Sequence, residues 1–306
     1  MVKQQMNQAR KNNEGGNAVS DRLETALAKA RLKTPENPLG MGLITYLMAG
    51  DPDTDTTLRR LSGLVKAGVD ILELGVPFSD PIADGPVIQA AGLRALQQGM
   101  NLQKVLNLAA RFRKENQTTP LLLMSYLNPL IHYGYDRFLS DACTAGVDGL
   151  ILPDLPWRES TPFRQRAYEL LQDHLAFIPM IAQTSRPAHI HGLAQEQKGF
   201  IYVLSRNGIT GGDAEIPPQT LQFIDSLQTA LSAPCYVGFG IQSPTQVHTL
   251  SQACQGVIVG SALVQKFAQL DACALPAHEL VHREQDIYAW IGSLRKTSVR
   301  EELACE

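Results

Sequence analysis

Long apolar runs are missing from these 306 residues. No stretch approaches the roughly twenty apolar residues needed to cross a bilayer, which predicts a soluble protein with no membrane partner. Excess charge of one sign is missing too: a net charge of -3, a pI near 6.2 and no basic stripe leave nothing to attract nucleic acid. The five cysteines are scattered, with no CxxC pair and no secretory apolar segment ahead of them, the pattern of reduced thiols in a cytoplasmic protein. The seven histidines form no ligand pattern, and His189 with His191 reads as loop or helix-start surface rather than half of a zinc site, so no metal is expected. Between Lys66 and Arg94 there is no Lys or Arg at all.

That cation-free interval holds the most informative stretch, LELGVPFSDPIADGP at residues 72–86. It places Glu73 inside an apolar strand pattern and Asp84 on a loop stiffened by prolines. Successive side chains of a strand point to opposite faces, so Ile71, Glu73 and Gly75 share one face and Leu72 and Leu74 the other. If the leucines pack on helices, Glu73 faces inward. A buried carboxyl without a cationic neighbour holds its proton more tightly, which suits it to give and take protons. The alternative is a strand-end glutamate paired with a distant arginine.

With 44% hydrophobic residues the chain can build a substantial core. Residues 1–20 are polar, carry Gly15-Gly16 and show no apolar period, which predicts a flexible arm. A transit peptide is the alternative suggested by Lys3, Arg10 and Lys11, but serine is scarce and an apolar face is absent. From Asp21 a helical period begins, with Leu23, Ala26, Leu27 and Ala30. Further on, a unit recurs. One helix closes at Lys66-Ala67-Gly68 and runs into Val69-Asp70-Ile71, and another closes at Thr144-Ala145-Gly146 and runs into Val147-Asp148-Gly149. Glycine at such a place lets a helix end in the left-handed conformation. A degenerate third copy is Ala253-Cys254-Gln255-Gly256-Val257.

Eight apolar strand patterns are present, at 42–48, 70–75, 121–125, 148–152, 176–181, 200–204, 235–238 and 256–259. Amphipathic helical stretches such as 54–67 and 102–115 separate them. Strands apolar on both faces and alternating with helices predict a parallel sheet, and eight such units can close on themselves. The α/β architecture expected is therefore a single (β/α)8 TIM barrel over residues 21–295, with an extra N-terminal helix, the arm 1–20 and a tail 296–306. A doubly wound open sheet is the alternative; the eightfold count and the lack of GxGxxG after the first strand weigh against it.

In such a barrel reacting groups gather at the carboxyl ends of the strands, where Glu73, Asp84, Tyr126, Asn128, Asp154, Tyr202 and Thr210 all fall. Glycines cluster there as well: Gly208, Gly211 and Gly212 after the sixth strand, Gly238 and Gly240 after the seventh, and Gly260-Ser261 after the eighth. Each alone reads as a turn. Three sets on consecutive strands predict a phosphate cradle of backbone amides at a helix start. Residues 205–217 are polar, glycine-rich and long for a βα connection, as a lid would be, or simply a surface loop.

These residues closely resemble the tryptophan synthase alpha subunit family over about residues 21–295. The resemblance rests on AGDP (49–52), LELGVPFSDPIADGP, Tyr126 with Asn128-Pro129, LPDLP (152–156), LSRNGITGG (204–212), GFGI (238–241) and VGSA (259–262). It implies retro-aldol cleavage of indole-3-glycerol phosphate to indole and glyceraldehyde 3-phosphate, without metal or organic cofactor. It implies Glu73 as general acid–base, and Asp84 as acceptor for the indole nitrogen and counter-charge to the protonated ring. Thr210 would hold Asp84 in the closed site. Gly211, Gly240, Gly260 and Ser261 match the phosphate-binding positions, with Tyr202 a further contact, and Tyr46, Met124, Tyr126 and Ile151 would line the indole slot. The loop with Pro77, Phe78 and Asp80 would touch a beta subunit in an alpha2-beta2 complex.

The chain also departs from the family pattern. Thr45-Tyr46 stands where proline-phenylalanine is usual, Met48 replaces a common threonine, and Ala182-Gln183-Thr184 lacks the usual middle proline. These changes bear on the shape of the indole pocket. Two other readings stay open at this point, a stand-alone indole-releasing lyase and a non-catalytic subunit that activates a partner. Retention of Glu73, Asp84 and the phosphate glycines argues against the second.

Overall fold

A computed structural model describes residues 19–186, 190, 193, 199–204, 215–238, 240–273 and 275–296. Nine parallel strands form one sheet: β1 Gly42–Met48, β2 Ile71–Gly75, β3 Leu121–Met124, β4 Gly149–Ile151, β5 Ala176–Phe177, β6 Met180–Ala182, β7 Ile201–Leu204, β8 Cys235–Gly238 and β9 Gly256–Val259. Their order is β5-β4-β3-β2-β1-β9-β8-β7-β6. The helices, in chain order, begin with α1 Val19–Ala30, α2 Thr54–Lys66, α3 Pro86–Gln97 and α4 Leu102–Glu115. They continue with α5 Leu127–Tyr133, α6 Tyr135–Thr144, α7 Thr161–Leu171, α8 Pro218–Ala230, α9 Pro244–Leu250, α10 Ser261–Asp271 and α11 Ala277–Ser293.

Eight strands were expected and the fifth is divided. Ile178-Pro179 interrupts the 176–181 run, because proline has no N–H to give to a ladder. The segment still serves both neighbours: Ile178 N–H donates to Leu150 O at 2.9 Å and Pro179 O accepts from Tyr202 N–H at 2.9 Å. One stretch of chain thus bonds β4 on one side and β7 on the other, and the ring closes into the TIM barrel.

Alternation then sorts the side chains. Ile44, Ile71, Leu122, Ile151, Ala176, Ile178, Phe200, Tyr236 and Ile258 fill the lower barrel interior. Leu23 and Leu27 of α1 join them, so the extra N-terminal helix plugs the amino end of the barrel. Leu72 and Leu74 instead belong to the cluster shared with the surrounding helices, among Leu61, Leu64, Leu106 and Leu108. The predicted helix 54–67 starts at an Asp53 cap and the predicted 102–115 at an Asn101 cap, each side chain accepting a backbone N–H of the first turn.

The recurring unit has a physical purpose that its sequence only hinted at. Gly68 and Gly146 have φ of 91° and 77°, and a Cβ on Gly146 would sit 2.7 Å from Arg113. The acid that follows reaches back to the preceding strand: Asp70 accepts Leu43 N–H, Asp148 accepts Leu121 N–H, and in the third copy Gln255 accepts Cys235 N–H, each at 2.8 Å. Arginines neutralise the two acids. Asp70 pairs with Arg295 at 2.7 Å, and Asp148 pairs with Arg22 and Arg113, both at 2.8 Å. Asp148 has no exposed surface, so removing it leaves Arg113 buried without its counter-charge. Asp148→Ala is expected to cost about 3 kcal/mol or more of unfolding free energy by denaturant titration; a loss under about 1 kcal/mol would show that the pair is dispensable.

Candidate active site

Strand β2 is buried along its whole length, and Glu73 projects into the barrel above Ile71, in register with Tyr46 on one side and Leu122 on the other. It is 1% exposed, and neither carboxyl oxygen has a hydrogen-bond partner among the described residues. No described cation reaches it. The reading of Glu73 as the partner of a distant arginine is therefore set aside. Burial, and then the negative charge of Asp84, push its carboxyl up to about 8.

Asp84 approaches from the loop that follows β2. Val76 N–H bonds Met124 O at 2.8 Å, Pro77 is buried, Phe78 stacks tilted on Tyr126 at 5.4 Å, and Asp80 and Ile82 are exposed. Tyr126 is the clasp. Its Oη accepts the Ala83 N–H at 3.0 Å, which holds the loop beside the phenol. Burial raises Asp84 to about 6, with the neighbouring Tyr126 phenol opposing that rise.

Between the two carboxyls and a row of glycines lies a cavity of about 200 Å³. Tyr46, Met124 and Tyr202 line it together with Gly238, Gly240, Gly260 and Ser261. Gly240 has φ of 67°, and Gly260 caps the start of α10, whose first turn carries no acidic side chain. The unpaired N–H groups of that turn form a site for an anion. No Lys or Arg lines the cavity among the described residues, so an anion there would be held chiefly by amides. Tyr202 is pushed well up by burial and then by Glu73 and Asp84, which places its phenol in the field of both acids.

Of the expected slot residues, Tyr46 and Met124 are on the wall; Tyr126 stands behind Asp84, and Ile151 is fully buried in the interior cluster below. Asp154 is at a strand end as expected but is turned to structure, accepting Leu127 N–H at 3.0 and 3.1 Å where α5 begins, next to Asn128. Thr210, Gly208, Gly211 and Gly212 lie outside the described residues. Ile88, Pro153, Met180 and Leu204 also line the cavity and were not anticipated. For Met180 a signal existed, since it continues the inward alternation of Ala176 and Ile178.

Tyr46 and Met48 meet each other on β1, and Gln183 reaches the start of α8. Tyr46 Oη donates to Met48 Sδ at 3.8 Å, and Gln183 Nε2 donates to Thr220 Oγ1 at 3.0 Å.

A family model described as tryptophan synthase alpha chain matches residues 32–289. The chain belongs to the tryptophan synthase alpha chain family. It is similar to the tryptophan synthase subunit alpha of Legionella pneumophila, with 34% identity, a TM-score of 0.77, and 90% of this chain and 97% of that one covered. It is similar as well to a chain from the tryptophan synthase α2β2 complex of Pyrococcus furiosus, with 32% identity, a TM-score of 0.74, and 83% and 97% covered. Membership makes it a lyase of tryptophan biosynthesis, in a family that cleaves indole-3-glycerol phosphate. Among the described residues no helix is long and apolar enough to cross a membrane.

An acid raised by burial carries a signature in stability. Glu73 ionises near 4.5 when free and near 8 when folded, so between these values the unfolded chain binds fewer protons and the folded state loses stability as pH rises. Glu73→Gln has no such loss. Denaturant titrations at about pH 5 and about pH 8 should show the variant gaining on the wild type, by at most about 1.4 kcal/mol per pH unit; a difference independent of pH would contradict the raised carboxyl.

Proposed function

We propose that this chain performs its family's retro-aldol cleavage with Glu73 as the single proton carrier, and that residues 21–295 form one catalytic domain. The observation that carries this reading is a fully buried, unpaired carboxyl raised to about 8 at the wall of a cavity that ends in amides. At neutral pH Glu73 is protonated. It gives its proton to the indole ring carbon that bears the glycerol phosphate, and the ring becomes a cation. The resulting carboxylate takes the proton of the adjacent side-chain hydroxyl, the carbon–carbon bond breaks, and its electron pair returns to the ring. Indole and glyceraldehyde 3-phosphate leave, and the proton balance is zero. Nothing in this sequence needs a metal or an organic cofactor.

Asp84, ionised above about pH 6, accepts the indole N–H and balances the ring cation, an interaction that strengthens toward the transition state. Gly211, Gly240, Gly260 and Ser261 hold the phosphate, with Tyr202 assisting and Thr210 steadying Asp84. The aryl group rests against Tyr46 and Met124, with Tyr126 behind Asp84 and Ile151 supporting the floor. The loop that carries Pro77, Phe78 and Asp80 faces a beta subunit in an alpha2-beta2 assembly, Asp80 outward and Pro77 and Phe78 shaping the loop from within, a reading supported by the α2β2 complex of the Pyrococcus furiosus relative and by the exposure of Asp80 and of Ile82, 83% exposed, on the same loop. We place the enzyme in the cytoplasm.

Purified chain incubated with indole-3-glycerol phosphate should release indole, faster when a beta subunit is added; equal rates would favour a stand-alone lyase. The productive form has Glu73 protonated and Asp84 ionised, so kcat/KM should rise as pH passes about 6 and fall as it passes about 8. Glu73→Gln should lower kcat by roughly 10²–10⁴-fold while phosphate-ester binding persists, and Asp84→Asn by roughly 10²-fold or more. Substantial turnover by Glu73→Gln would remove the assignment.

A further inference from the structure

The ring of Tyr46 lies across the cavity between its two chemical ends. Its Cβ is beside Gly260, where a Cβ would stand 3.6 Å away, and its hydroxyl lies over Gly75 of β2, where a Cβ would stand 1.9 Å from the oxygen. No residue with a side chain could occupy position 75 beneath it. The hydroxyl is buried, and its described hydrogen bond is the long one to Met48 Sδ at 3.8 Å. Met48 is fixed in turn, its methyl 3.4 Å from where a Cβ of Gly92 on α3 would be. Met48 itself does not line the cavity. The hydroxyl is therefore directed into a niche formed by β2, the thioether and α3, while the ring forms the cavity wall.

A phenyl ring at this position would leave that niche empty and could tip toward Gly75, enlarging the slot by about the volume of a methyl group. The hydroxyl prevents the tip by filling the niche, and the sulfur acceptor lets it be buried without an unmet donor. Neither residue follows the family pattern, and each makes the other tolerable. We propose that Tyr46 is a specificity-determining residue, held by Met48 as a positioning residue, that restricts the aryl slot to unsubstituted indole and rejects indole-3-glycerol phosphates bearing an added group on the benzo ring. The inference rests on the lyase reading above.

The test is kcat/KM for indole-3-glycerol phosphate and for analogues methylated at each benzo position in turn, using wild type, Tyr46→Phe, Met48→Thr and the double variant. In at least one position the methylated-to-parent ratio should rise about tenfold or more in Tyr46→Phe, the scale on which one methylene is distinguished in an apolar pocket. Met48→Thr should raise the same ratio, and the double variant should add little, because the two side chains act as a unit. A merely structural role would lower both substrates together and leave the ratio fixed. Wild-type turnover of the parent with an unchanged ratio in every variant overturns this inference alone, as does wild-type acceptance of all the methylated esters. No turnover of the parent by wild type overturns the lyase reading and this inference with it.

Discussion

A carboxyl closed inside a ring of strands, with neither cation nor hydrogen-bond partner among the described residues, is the constraint on which the remainder of the site depends. Among the described residues three acids are buried, Glu73, Asp148 and Glu284, and the contrast between them is chemical. Asp148 is paired with Arg22 and Arg113, and Glu284 with Arg59 and Arg60. Those pairs join helices and strands. Glu73 joins nothing, and a buried charge left unpaired is expensive, so it keeps its proton instead. Stability at this position is given up for reactivity.

The two ends of the barrel divide the work. At the amino end Asp70, Asp148 and Gln255 each reach back to an amide at the start of a neighbouring strand, and α1 covers the interior. These contacts fix strand positions. At the carboxyl end the same strands present Glu73, Tyr202, Gly238 and Gly260, and the loop after β2 carries Asp84 to within the field of Glu73. A rigid floor lets a short loop with one tyrosine clasp place a second acid with little freedom. Asp84 then acts twice, raising the Glu73 carboxyl and supplying the negative charge that a ring cation requires.

Much of this was legible in the residues. The inward direction of Glu73 followed from strand alternation with Leu72 and Leu74, and the extents of α2 and α4 from the apolar period; the caps Asp53 and Asn101 were seen only in the structure. The glycines at 68 and 146 announced helix ends. Other features could not be read, because they depend on side-chain direction in three dimensions. The 176–181 run looks like one strand until Pro179 is seen to offer only its carbonyl. Asp154 resembled a reacting group by position but caps α5, Tyr126 acts on the Asp84 loop, and Ile151 lies one layer too low. Tyr46 and Met48 share a face of β1 by the same alternation, but that the phenol reaches the sulfur is visible only in the structure.

The most direct measurement is the titration of the Glu73 carboxyl itself, by carbon-13 NMR of labelled glutamate with Glu73→Gln used to assign the signal, in the wild type and in Asp84→Asn. The expected result is a midpoint near 8 in the wild type, and a lower one in Asp84→Asn once the neighbouring negative charge is gone. A signal already ionised at neutral pH, or a midpoint unmoved by loss of Asp84, would contradict the buried acid as the centre of the chemistry.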